Sequence, residues 1–217
     1  GNALILSRDF YPVSPEQRFR LSGQFRAATD KTGKFFFGFV PYDAEKQRIE
    51  LHHVNALYQT ETELAAPCAA NDRVLTVKNA MNWKADPFCF IAFDAKDDFS
   101  DLPNRKLSSQ GIEKVEKVDD GWKVTLKKPC GLEYPAGAKI RLQGKGSQFI
   151  CSGAFSRDPG KEWSSCANMV SGLSKKGESR TQFWAGTRFV KVAILGNYMC
   201  DDKIGLNFRT IKLERLD

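Results

Sequence analysis

From Arg18 to Arg26 every second residue is apolar or glycine and the others are polar, the period-two pattern of a strand with one buried face. The next run, Lys34 to Val40, is apolar at both parities through three consecutive phenylalanines. It predicts a strand covered on both sides and ended by Pro41-Tyr42-Asp43. Ile49 to Val54 follows a polar turn and predicts a third strand in meander order. In that strand the adjacent His52 and His53 would point to opposite faces, so they would not share one metal ion or substrate.

The middle of the chain has shorter apolar runs. Strands are expected at Arg73–Val77, Phe88–Phe93, Ile112–Val118, Trp122–Lys127 and Lys139–Leu142, and Asp119-Asp120-Gly121 marks a hairpin between two of them. No apolar stripe at helical spacing lasts ten residues; Thr60–Ala66 is the best candidate for a short helix. Longer strands return at Gln148–Cys151, Arg188–Leu195 and Lys203–Phe208. After Phe208 the apolar phase shifts by one residue towards Ile211 and Leu213, which predicts a bulge. The expected architecture is an all-β antiparallel jelly-roll sandwich spanning residues 1–217, with residues 61–143 as a small β insert. Gly144-Lys145-Gly146-Ser147 is the loop where the insert rejoins, since it lacks phosphate-loop spacing.

Charge sharpens this division. The 217 residues carry a net +7, yet residues 61–143 hold 13 basic and 13 acidic side chains, so the whole basic surplus lies outside the insert. A surplus of this kind suits an anionic ligand or a solvated basic face. The basic residues are spread along the chain without a nucleic-acid-binding motif, which argues against a nucleic-acid partner. No apolar run approaches the ~20 residues of a membrane helix. The first residue is Gly1, which reads as the start of a chain whose leader has been removed and leads to the expectation of a secreted or cell-surface location. Six widely spaced cysteines contain no C-x-x-C pair; free buried thiols and one or two disulfides both remain open.

Three stretches carry a family resemblance. Val13-Ser14-Pro15 leading into Arg18–Gly23, with Phe37-Gly38-Phe39 and Tyr42-Asp43 after it, is similar to an opening strand. Trp163-Ser164-Ser165 precedes Phe183–Thr187 and a strand ending Gly196-Asn197-Tyr198. Asp201-Asp202-Lys203-Ile204-Gly205-Leu206 is similar to a closing motif. Together they resemble the carbohydrate-binding, galactose-binding-like β-sandwich modules of exported bacterial proteins, and the insert lies outside the resemblance. The resemblance implies a non-catalytic module that recognises a polysaccharide or surface glycan, alongside other domains of a larger exported protein. The calcium-site segment of such modules is not evident, so no metal or cofactor is expected.

Sugar recognition uses flat aromatic faces together with charged or amide groups, and an acidic sugar suits arginine forks. Trp163, Trp184, Tyr198, Arg180 and Arg188 supply these types within one stretch and are the candidate ligand-binding residues. Catalytic patterns are sparse. No G-x-S-x-G occurs, the cysteines have no suggestive histidine, and the acidic groups at Asp97-Asp98-Asp101, Asp119-Asp120 and Asp201-Asp202 read as turns. No enzyme activity is therefore expected. Two rivals differ in class: a jelly-roll polysaccharide lyase, with Tyr198 or a histidine moving protons in a basic groove, and a structural or adhesive spacer.

Overall fold

A computed structural model describes residues 2–30, 33–199 and 205–216, with backbone alone for 155–157. The Asp201-Asp202-Lys203-Ile204 motif lies outside the described residues. The described chain is all-β, built from antiparallel sheets apart from one short parallel pair. No helix among the described residues is long and apolar enough to cross a membrane. Two compact units are formed by residues 1–50, 147–174 and 178–217, and by residues 51–146 and 175–177.

The first unit contains β1 (Ala3–Leu6), β2 (Tyr11–Pro12), β3 (Arg18–Ala27) and β4 (Lys34–Tyr42) before the second unit intervenes. After it come β11 (Ile150–Arg157), β12 (Ser164–Val170), β13 (Leu173–Ser174), β14 (Phe183–Trp184), β15 (Phe189–Tyr198) and β16 (Leu206–Leu216). One sheet has the order β1-β15-β4-β11, with β2 also on β15; the other has the order β12-β3-β16.

Their facing surfaces follow from the sequence pattern. The apolar parity of β3 places Phe19, Leu21 and Phe25 inward, against Phe35, Phe37 and Phe39 of β4. Phe25 meets Phe35 and Phe37 at ring-centroid distances of 4.6 and 4.9 Å. Each such fully buried ring stabilises by ~1.5–3 kcal/mol relative to exposure. The opposite parity of β4 is also covered: Phe36 and Val40 pack with Phe149, Cys151 and Ala193. That accounts for the doubly apolar run at 34–40. Gly38 is required there by close approach, since a Cβ at this position would lie 1.8 Å from the Ile150 carbonyl oxygen.

In the second unit, β5 (Thr62–Glu63), β10 (Lys139–Gly144) and β7 (Cys89–Phe93) form one sheet; β6 (Val74–Val77), β9 (Gly121–Leu126) and β8 (Ile112–Val118) form another. Leu75, Val77, Trp83, Ile91, Phe93, Val124, Leu126 and Ile140 are among the residues of one buried cluster. The expected hairpin is present with Asp119-Asp120 as its two-residue turn, because Gly121 already pairs with Val118. Gly121 has φ +133 and its missing Cβ would sit 2.7 Å from the Val77 carbonyl oxygen. Arg141 is fully enclosed and makes a two-pronged ion pair with Asp101, at 2.6 and 3.1 Å.

Three expectations are corrected. Thr60–Ala66 is not a helix: Thr62–Glu63 is a strand on β10, and Leu64 bridges to Val77 inside the core. Ile49–Val54 is not a strand: Leu51–His53 is a 3-10 turn, which brings the two imidazoles together at 4.5 Å. Asp101, expected in a solvated turn, is the buried partner of Arg141. The predicted bulge in the last strand is present as a register shift between Arg209 and Lys212, with Thr210 at φ 53.

Candidate ligand-binding face

The polar parity of β3 builds the site. Arg18, Arg20, Ser22, Gln24 and Arg26 alternate with the buried residues and therefore lie together on the outer face of the β12-β3-β16 sheet. Cross-strand register extends this face. Asn207 is opposite Arg26, Arg209 opposite Gln24, Lys212 opposite Ser22 and Glu214 opposite Arg20 on β16. On β12, Ser165, Ala167 and Met169 face Gln24, Ser22 and Arg20. The face thus carries the cations Arg18, Arg20, Arg26, Arg209 and Lys212 with one carboxylate, Glu214.

Trp163, just before β12, is half-buried at the Arg26 end of this face. The Arg26 guanidinium lies over its ring at 4.7 Å and that of Arg209 at 4.2 Å. Arg209 Nε also donates to Gln24 Oε1 at 2.8 Å. Among the described residues, Arg20, Arg26 and Lys212 form no ion pair, and the enclosed Arg26 Nε has no hydrogen-bond partner. Two shallow depressions mark the ends of the face. One, of about 440 Å³, is lined by Arg20, Ala167, Asn168, Met169 and Leu216; the other, of about 370 Å³, includes Arg26, Asn207 and Lys161 in its lining. Lys161 is paired with Asp30 at 2.8 Å.

The five residues expected to bind ligand are not brought together. Trp163 lies on the basic face. Trp184 is fully enclosed, with its indole N–H donating to the Ser179 carbonyl at 3.4 Å, and burial removes it from contact with any ligand. Tyr198 packs edge-on against Phe36 at 4.7 Å, on the opposite side of the five-stranded sheet from the β3 packing. Arg188 is exposed and donates to the Thr187 carbonyl, and Arg180 is exposed in the loop before β14. The structure instead brings Arg26 and Arg209 to Trp163, residues outside the five expected. The sequence signal for Arg26 is that Arg18, Arg20 and Arg26 all occupy the polar parity of one strand.

Other reactive types are placed differently. Cys68, Cys89, Cys130 and Cys151 are free and buried, and Cys166 is buried. Burial pushes Cys68 and Cys89 up to about 12 and Cys151 to about 11, so these thiols are protonated at neutral pH and poor nucleophiles. In the second unit His52 stacks on Phe90 at 4.7 Å, and Arg105 Nη1 lies 3.5 Å from His53 Nδ1. Among the described residues no group of three or more His, Cys, Asp or Glu side chains is arranged to hold a metal ion. The chain matches no protein-family model, no curated protein and no solved structure.

Proposed function

We propose that this chain is a non-catalytic binding module of an exported protein that holds an acidic polysaccharide or surface glycan on the outer face of the β12-β3-β16 sheet. The observation that carries this reading is the pair of guanidinium groups over Trp163, on a face with five cations and one carboxylate. A guanidinium is planar and always charged, and its fork matches a carboxylate or sulfate. With both arginines over its ring, Trp163 acts as the platform that orients them, rather than as a bare stacking surface for sugar.

Titration calorimetry with polygalacturonate and, as the neutral control, galactan tests the proposal. A charge-assisted hydrogen bond contributes ~1.5–3 kcal/mol, so Arg26→Ala/Arg209→Ala should weaken polygalacturonate binding at least ~10-fold. Unaltered binding by that variant, or equal binding of the neutral polymer, would refute it. Ultraviolet absorbance of the same mixtures tests the lyase alternative: an unsaturated uronate product would mean turnover, and the proposal requires its absence.

A further inference from the structure

Resting on the acidic-glycan reading, we infer that the ligand is engaged as an extended polymer at two anion subsites, one at each end of β3. The first is Arg26 with Arg209, ordered by Trp163. The second is Arg20, beside the exposed Met169 and the partly exposed Leu216. Arg20 and Arg26 share one face of a strand and are six residues apart, which separates their Cα atoms by ~20 Å. That distance exceeds the reach of one sugar ring.

The surface between the ends suits a chain passing over it. Ser22 on β3 is flanked by Ala167 on β12, so the centre of the face is low, and Lys212 on β16 adds a cation alongside. The depressions lie at the two ends rather than in the middle. At the Arg20 end, Met169 and Leu216 give an apolar floor for a ring face and Arg20 the charge for its acidic group, with the Glu214 carboxylate cross-strand from Arg20 leaving the Met169 side of the arginine as the side that an anion approaches. The Asp30 carboxylate near the other end is paired with Lys161 and so does not repel the ligand as a free charge would.

Neither shallow subsite encloses a sugar, so useful affinity comes from joining the two. Once one end of a polymer is held, the other subsite sees a millimolar effective concentration, and avidity rises by ~10²–10⁴ over a single site. Glycan binding through one subsite would show no such gain with length.

The test uses size-fractionated oligogalacturonides and polygalacturonate, titrated into the full chain at low and high salt. Trimers should bind weakly, two per chain. Fragments long enough to reach both ends should bind one per chain and at least ~10²-fold more tightly. Arg20→Ala should abolish the gain with length, reduce trimer stoichiometry to one, and leave the affinity of the remaining trimer unchanged; Arg20→Lys should restore part of the gain. Unfolding midpoints of both variants establish that the fold is intact. Equal affinity for short and long fragments, or an Arg20→Ala variant that keeps the full gain, overturns the two-subsite inference while leaving acidic-glycan binding standing. Failure of the parent chain to bind polygalacturonate of any length overturns that underlying reading. Tighter binding of a 20-mer of oligothymidylate than of polygalacturonate overturns the choice of glycan as the polymer.

Discussion

The Arg141–Asp101 pair offers the sharpest test of how the second unit is held together. Arg141 is fully enclosed and Asp101 nearly so, with side-chain exposures of 0% and 8%. Asp101 accepts bonds from both guanidinium prongs, from Asn104 Nδ2 at 2.8 Å and from the Lys96 amide at 3.1 Å. Asp101→Ala leaves the guanidinium buried with only neutral partners, the Gln143 side-chain oxygen at 3.0 Å, the Lys96 carbonyl at 3.3 Å and the Phe99 ring at 5.3 Å. An uncompensated buried charge costs ~3–5 kcal/mol. At ~4–8 °C per kcal/mol for a unit of about 100 residues, the midpoint should fall by roughly 12 °C or more. Asp101→Leu/Arg141→Met removes both charges and should recover most of the loss, because replacing a buried pair with apolar groups is often near neutral.

Chemical denaturation measures these energies, and hydrogen exchange at β7 and β10 assigns them to this unit. The pH dependence has a definite sign. Burial alone would raise the Asp101 carboxyl, but hydrogen bonds from Arg141 and Asn104 outweigh it and hold the group below the usual carboxylate range. Its stabilisation is therefore present above that range and is lost as pH falls through the folded-state value, so Asp101→Ala should flatten the acid limb of the stability curve. A single variant within ~1 kcal/mol of the parent, or a double variant no better than the sum of the singles, would refute the reasoning.

Gly38→Ala forces a methyl to within 1.8 Å of the Ile150 carbonyl oxygen and should destabilise the first unit by ~3 kcal/mol or more, read by urea unfolding. Wild-type unfolding parameters in a soluble Gly38→Ala chain would show that β4 and β11 separate at little cost. Trp184→Ala empties a fully enclosed site and should cost ~3–5 kcal/mol; the same assay, paired with calorimetry on polygalacturonate at a temperature where the variant is folded, should find binding retained. For the buried thiols, peptide mass spectrometry after iodoacetamide treatment at pH 8 should find Cys68, Cys89 and Cys151 labelled only once the chain is denatured; rapid native labelling would contradict their burial.

The elements legible in the sequence are those whose environment is imposed along the strand itself. β3 alternates because one face meets β4 and the other meets solvent, and β4 does not alternate because both its faces are covered. The hairpin at 119–120 and the shift after Arg209 are local, so turn chemistry and phase were enough. Thr60–Ala66 misled because its Glu and Ala residues favour a helix in isolation, whereas Leu64 is drawn into a core assembled from strands far away in sequence. At 49–54 the buried residues Ile49, Leu51 and Val54 are spaced unevenly, a warning against a strand that the apolar composition masked. The candidate site was legible by residue type but not by place. Trp163 stands between Glu162 and Ser164 and Trp184 between Phe183 and Ala185, a contrast that leans one outward and the other inward, but only long-range pairing puts Trp163 beside Arg26 on the sheet surface and encloses Trp184.

That placement also decides what Trp163 can contribute. Each exposed cation–π contact stabilises by only ~0.5–1 kcal/mol, so its effect on folding is small. On binding it is larger, because immobilising a long side chain costs ~0.5–1.5 kcal/mol and the ring holds two arginines before any anion arrives. Removing the ring restores that cost for both, ~1–3 kcal/mol in all, or about 5- to 150-fold in affinity. Trp163→Ala should therefore weaken polygalacturonate binding by a factor in that range while the two lost ring contacts lower folding stability by ~1–2 kcal/mol, with the loss in affinity appearing as a less favourable binding entropy at nearly unchanged enthalpy. A loss carried by enthalpy with entropy unchanged would mean that the ring contacts the sugar directly, and the platform role would be wrong.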